Sequence, residues 1–216
     1  FLIYLLDTVH ETIKRPIKQV KEYSYIVPCF YSYFKTTISC ENCGNTINKY
    51  EIISQIIVEI SEETLVDCLK KLFQKELLED YKCDNCDKKN VSYKKVSPIL
   101  FAQNLIIILM RFFDKNKKII IPKDNLNIKG KDYFLKSAIF HYGKRNFGHY
   151  TSINKRNNRW YYCNDTTVRE VDNFDLDNAY VLLFEKCTTT EPLDTTISSS
   201  SDSSSNSSSE SVSNES

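Results

Sequence analysis

Two groups of side chains in this sequence have the types and spacing to do chemistry. The first centres on His149, one of only three histidines, in Gly148-His149-Tyr150. An Asn-Asp pair, Asn164-Asp165, follows it within Trp160-Tyr161-Tyr162-Cys163-Asn164-Asp165. An imidazole exchanges a proton near neutral pH. A carboxamide or carboxylate beside it decides which ring nitrogen does so. Together they make the base and the orienting group of a nucleophilic site, which lacks only its nucleophile. The second group is Cys40-x-x-Cys43, then 39 residues, then Cys83-x-x-Cys86. Two thiolates from one tight turn fill half of a tetrahedral shell, and a second turn closes it. A zinc ion held by four cysteines has no open position, so this site is expected to be structural.

Four cysteines remain: Cys29, Cys68, Cys163 and Cys187. Cys68 falls on an apolar helical stripe and reads as core. None of the four has the neighbours a reactive thiol needs, such as a helix N-terminus or donors able to form an oxyanion hole. The nucleophile is therefore not expected among these 216 residues. The chain begins with Phe1 in the middle of an amphipathic pattern, which suggests a piece of a longer protein.

The elements that must position these groups follow from the hydrophobic pattern. Phe1, Leu2, Leu5, Leu6 and Val9 form one face of a helix that ends before Pro16. Residues 17–28 read as a loop and 30–39 as a strand leading into the first cysteine turn. Residues 48–60 read as one Ile-rich strand. Ser61 is the expected N-cap of a helix over 61–76, with Leu65, Cys68, Leu69, Leu72 and Phe73 buried. A short strand, 91–96, leaves the second cysteine turn. Residues 105–113 are apolar on both faces and read as a central strand. Strands are expected at 118–121, 133–141, 150–153, 159–163, 167–171 and 179–184. The hairpin turning at Asn154 to Arg159 brings His149 beside Asn164 or Asp165.

The segment 188–216 is Ser-rich, with five acidic residues and no Lys or Arg. It cannot bury enough apolar surface to offset the entropy of ordering and is expected to be disordered. The formal net charge of the whole chain is +1. That is too weak and too scattered to argue for nucleic-acid binding. No secretory signal is visible, and Leu105 to Met110 is far too short to span a bilayer. With cysteines paired for metal, the chain reads as intracellular, cytoplasmic and/or nuclear.

These motifs together resemble the ubiquitin-specific peptidases. The resemblance is carried by Phe140-His141-Tyr142-Gly143, Gly148-His149-Tyr150, Trp160 to Asp165, and Ala179 to Phe184. The first helix, the two cysteine pairs, and the strand ending Met110-Arg111-Phe112 extend it over residues 1–187 in the family's order. It implies an α+β, papain-like cysteine peptidase fold, with a palm β-sheet, zinc-bearing fingers and a thumb largely missing here. Fingers would occupy about 29–96 and palm about 97–187. By position, His149 would be the general base and Asn164 the residue that orients it, with Asp165 supporting it. Gly148 and Tyr150 would line the channel for the Gly-Gly tail of ubiquitin. Cys40, Cys43, Cys83 and Cys86 would hold the zinc. The implied activity is thiol-dependent hydrolysis of the isopeptide bond after the ubiquitin C-terminal glycine, with the nucleophilic Cys upstream of Phe1. The 216 residues alone would then be inactive. Ubiquitin, ubiquitinated proteins and an activating protein are the implied partners. The alternative is a non-catalytic ubiquitin-binding scaffold of the same ancestry. The sequence departs from the family at Ala102-Gln103, where Leu-Pro is usual, and at Ile108-Leu109-Met110, where His-Leu-Lys is usual.

Overall fold

A computed structural model of the chain describes residues 2–17, 20–111, 117–144 and 147–187. The expected tail, Phe1, and the end of the strand predicted over 105–113 lie outside the described residues, as do two residues of the loop before Gly148.

The order of elements starts with helix α1 (Leu2–Ile13), the short pair β1 (Arg15–Ile17) and β2 (Val20–Tyr23), and helix α2 (Ile26–Phe30). Then come β3 (Ser32–Cys40), β4 (Thr46–Ile53), β5 (Ile56–Glu59), α3 (Leu65–Leu72), β6 (Lys75–Lys82), β7 (Lys89–Leu100) and β8 (Asn104–Met110). The rest is β9 (Leu126–Ile128), β10 (Lys131–Lys144), β11 (Phe147–Arg156), β12 (Arg159–Asn164), β13 (Thr167–Val171) and β14 (Ala179–Lys186).

The strands form two main sheets. Four strands in the order β4-β3-β7-β6 make the fingers. Eight make the palm, in the order β13-β12-β11-β10-β14-β8-β5, with β9 paired to β10. The palm is antiparallel except for β5 and β8, which run parallel. Strand β8 lies inside the sheet as its two-sided apolar pattern requires, with Leu105, Ile106, Ile107 and Leu109 all buried. The core runs from α3 (Leu65, Cys68, Leu69) across β8 to β10 and β14 (Leu135, Ala138, Leu182, Phe184).

Several sequence expectations change here for identifiable reasons. The Ile-rich stretch 48–60 is two strands, broken at Ser54-Gln55, and the halves belong to different sheets. The helix over 61–76 is capped by Thr64, not Ser61. The Thr64 hydroxyl accepts from the Asp67 N–H at 3.1 Å, and Ser61 lies a turn too early. The helix stops at Leu72, because residues 75–82 pair with β7. Residues 17–28 contain β2 and most of α2 in place of a loop. The expected strand 118–121 is reduced to a single bridge, Thr64 to Ile120. On α1 only Leu6 is buried, and Leu5 is exposed. His10 is half-buried and hydrogen-bonded to Ser24 at 2.7 Å.

The sheets meet at a root built from Phe34, Phe73 and Phe101, whose ring centroids are 5.8–6.2 Å apart. Here the departure at Ala102-Gln103 becomes intelligible. The Ala102 N–H donates to Ser32 Oγ at 3.0 Å, and its carbonyl accepts from the buried Tyr133 hydroxyl at 2.9 Å. The Gln103 N–H donates to the Pro28 carbonyl at 3.1 Å, a bond that a proline could not make.

Candidate active site and metal centre

His149 stands near the start of β11 and Asn164 at the end of β12, joined by the hairpin that the sequence predicts. Its turn is Asn157-Asn158, both with positive φ (48° and 61°). Two left-handed residues are what a two-residue hairpin turn requires, and asparagine tolerates that conformation best after glycine. The turn sets the register, Ser152 opposite Cys163 through Arg156 opposite Arg159. That register brings His149 Nε2 to 2.6 Å from Asn164 Oδ1. A carboxamide oxygen can only accept, so Nε2 carries the proton and Nδ1 keeps a free lone pair. The ring is thereby held as one tautomer, on an exposed surface.

Asp165 makes no hydrogen bond to His149. It sits in the β12–β13 turn with φ 47°, its side chain exposed. Its backbone conformation turns the strand, and the hydrogen bond to the imidazole comes from Asn164. A Cβ at 148 would lie 1.8 Å from His141 Nε2, so the space is filled by a side chain. Tyr150 faces the same side as Gly148 and is exposed.

The remaining cysteines lie away from His149. Cys163 is paired with Ser152, which puts it on the sheet face opposite His149. There Asn154 Nδ2 lies 3.5 Å from its sulfur. The Cys187 N–H bonds to Asp132 at the start of β10, the far end from Gly143 and Gly148. The Cys29 carbonyl accepts from Asn104, and Asn104 pairs with Glu185 near that same far end. Cys68 is buried, with its thiol on the Glu62 carbonyl.

The four knuckle cysteines converge at the tips of β3–β4 and β6–β7. All four sulfurs lie within 4.8 Å of one another. Cys40 and Cys86 are 4.0 Å apart, Cys43 and Cys83 3.7 Å. A tetrahedral zinc with Zn–S of about 2.3 Å places its sulfurs about 3.8 Å apart, so the group has the dimensions to hold such an ion. The two turns share one backbone plan. In each, the residue after the second cysteine is left-handed, Gly44 (φ 69°) in one and Asp87 (φ 53°) in the other. Its N–H bonds the carbonyl of the first cysteine, Cys40 at 3.0 Å and Cys83 at 2.8 Å. The Lys88 N–H is the largest of the influences that push the Cys86 thiol down to about 6. The Cys43 N–H does most to lower Cys40. Thiolates are the form a metal takes.

One residue of structural weight was not singled out from the sequence. Arg111 is buried at the end of β8. Its Nε donates to the Ala179 carbonyl at 2.7 Å, Nη1 to Lys117 at 2.6 Å, and Nη2 to Asp177. It ties the start of β14 to β8. An arginine closing an apolar strand is the sequence signal that could have pointed to it.

This fold, a palm sheet with a cysteine-tipped fingers sheet, is the papain-like architecture of ubiquitin-specific peptidases. Solved structures share it. A SAGA DUB module (Ubp8/Sgf11/Sus1/Sgf73) bound to monoubiquitin aligns with a TM-score of 0.71 at 21% identity, covering 86% of this chain and 47% of that one. A yeast SAGA DUBm structure aligns at 0.74 and 22% identity, covering 86% and 49%. The model of the family described as "Ubiquitin carboxyl-terminal hydrolase" matches residues 54–184, and the chain belongs to that family. Probable ubiquitin carboxyl-terminal hydrolase 8 of Schizosaccharomyces pombe is 27% identical, over 86% of this chain and 44% of its own length. Ubiquitin carboxyl-terminal hydrolase 25 of Arabidopsis thaliana is 30% identical, over 86% and 32%. The chain thus spans less than half the length of these curated relatives. No helix among the described residues is long and apolar enough to cross a membrane.

Proposed function

We propose that this chain is the base-bearing part of a thiol-dependent deubiquitinase, with its nucleophilic cysteine in sequence preceding Phe1. The observation that carries the reading is the 2.6 Å bond between His149 Nε2 and Asn164 Oδ1. His149 Nδ1 takes the thiol proton, the thiolate attacks the carbonyl carbon of the last glycine of ubiquitin, the imidazolium gives the proton to the departing amine, and water then hydrolyses the resulting thioester to free the thiol. Asn164 Oδ1 accepts from Nε2–H in both the neutral and the protonated ring. Asp165 shapes the turn that holds Asn164 in place. The backbone at Gly148 and Tyr150 borders the channel for the glycine tail, and ubiquitin is the partner. The four cysteines hold a zinc ion that supplies rigidity to the fingertips and takes no part in proton transfer. Residues 1–187 form one segment of a catalytic domain. Within 29–96 the fingers strands alternate with β5 and α3, which pack in the palm.

The experiment is hydrolysis of a ubiquitin C-terminal amide by the full-length protein, with His149→Ala beside it. Turnover in the parent and its loss in the variant are expected. A full-length protein that binds ubiquitin without turning it over would instead be a scaffold of this family.

A further inference from the structure

The rear of the strand carrying His149 is as closely built as its front. Side chains alternate along a strand, so Gly148 and Tyr150 face the side away from His149. On that side the register puts His141 opposite Tyr150 and Gly143 opposite Gly148. The His141 ring leans diagonally over Gly148, where a Cβ would fall 1.8 Å from Nε2 and 2.6 Å from Cδ2. Its centroid is 4.6 Å from that of Tyr150 and 6.3 Å from that of Tyr180 on β14. One imidazole therefore packs against both sequence neighbours of His149 and links them to the next strand inward.

This end of the hairpin is formed by a glycine pair, Gly143 opposite Gly148. Gly143 has φ 99°, and a Cβ there would meet the Phe147 carbonyl at 2.6 Å. A glycine pair with no side chains of its own gives the strand ends little to pack with.

We propose that His141 is a positioning residue, whose ring packs on the Gly148 backbone and the Tyr150 ring and thereby holds His149 on Asn164. This rests on the reading of His149 as the general base. The clamp works by shape, so another flat ring can replace it. Misplacing a catalytic group by about 1 Å costs on the order of 100-fold in rate.

The test uses His141→Ala and His141→Phe in the full-length protein with two readouts. The first is kcat and KM for a ubiquitin C-terminal amide. The second is the ¹⁵N spectrum of the His149 ring, which reports its tautomer and needs no turnover. His141→Ala is expected to lower kcat roughly 10- to 100-fold with KM within about threefold, and to replace the single Nε2–H tautomer by a mixture. His141→Phe is expected to keep both near the parent values. A parent that does not hydrolyse ubiquitin overturns the deubiquitinase reading, and the spectrum then decides on the clamp by itself. Should His141→Ala fail to fold, Gly148→Ala, whose Cβ must displace the ring, carries the same two expectations. An unchanged His149 spectrum in the alanine variant, or equal losses in His141→Phe and His141→Ala, overturns the clamp.

Discussion

Cys43 and Cys83 come from turns separated by the whole of β4, β5, α3 and β6, yet their sulfurs stand 3.7 Å apart. Asn85 Nδ2, from the second turn, reaches the Cys43 sulfur at 3.6 Å. Two turns of one backbone plan thus form a single thiol cluster. Purified protein is expected to release one zinc per chain when its thiols are blocked with a mercurial, read with a colorimetric chelator. Cys86→Ser should lower that stoichiometry and the thermal midpoint, since metal affinity at such sites is coupled to folding. A metal-free native protein with an unchanged midpoint would refute the assignment.

Asn164 supplies one acceptor to one imidazole proton. Asn164→Ala in the full-length protein should reduce kcat on the order of 10²-fold or more, because the ring is no longer held in one tautomer. Asn164→Asp, which still presents an oxygen to Nε2, should remain within about tenfold. Asp165→Ala should affect stability of the turn more than kcat. Steady-state kinetics beside a melting curve separates these cases.

Arg111 is buried and donates to the backbone carbonyls of Ala179, Lys117 and Asp177. Arg111→Met keeps much of the volume and removes the donors, and should cost about 3 kcal/mol or more in urea unfolding. Lysine cannot fork to three acceptors in fixed directions, so Arg111→Lys should recover only part of the loss.

Thr64 caps α3 with its hydroxyl, which also donates to Asp67 Oδ2 at 2.6 Å. Thr64→Ala should destabilise by about 1 kcal/mol. Ser61→Ala, at the cap position expected from sequence, should leave the unfolding midpoint nearly unchanged.

What the sequence made legible was mostly local. The cysteine spacing announces two turns and one group of four thiols, because a knuckle is specified by a few consecutive residues. The His149–Asn164 approach is equally legible, since one hairpin joins them. The break at Ser54-Gln55 was hidden because isoleucine pairs flank it on both sides while the chain changes sheets. Strand β6 was hidden by composition. Lys75-Glu76-Leu77-Leu78-Glu79 favours helix by propensity, and pairing with β7 overrides it. The contact of His141 with Gly148 was invisible because it depends on the register across Gly143 and Gly148, which alternation alone does not set.

The fingers sheet is rooted where β4 hands over to β5 and β7 to β8, so its base is continuous with the two outermost strands on one side of the palm. In mechanical terms it is a lever. Nine residues of β3 give it an arm of about 30 Å, so one degree of rotation at the phenylalanine root moves the cysteine tips by about 0.5 Å. The tips can be held in place only as well as the hinge is stiff. The packing of Phe34, Phe73 and Phe101 therefore sets how far the cysteine tips can swing relative to the palm sheet.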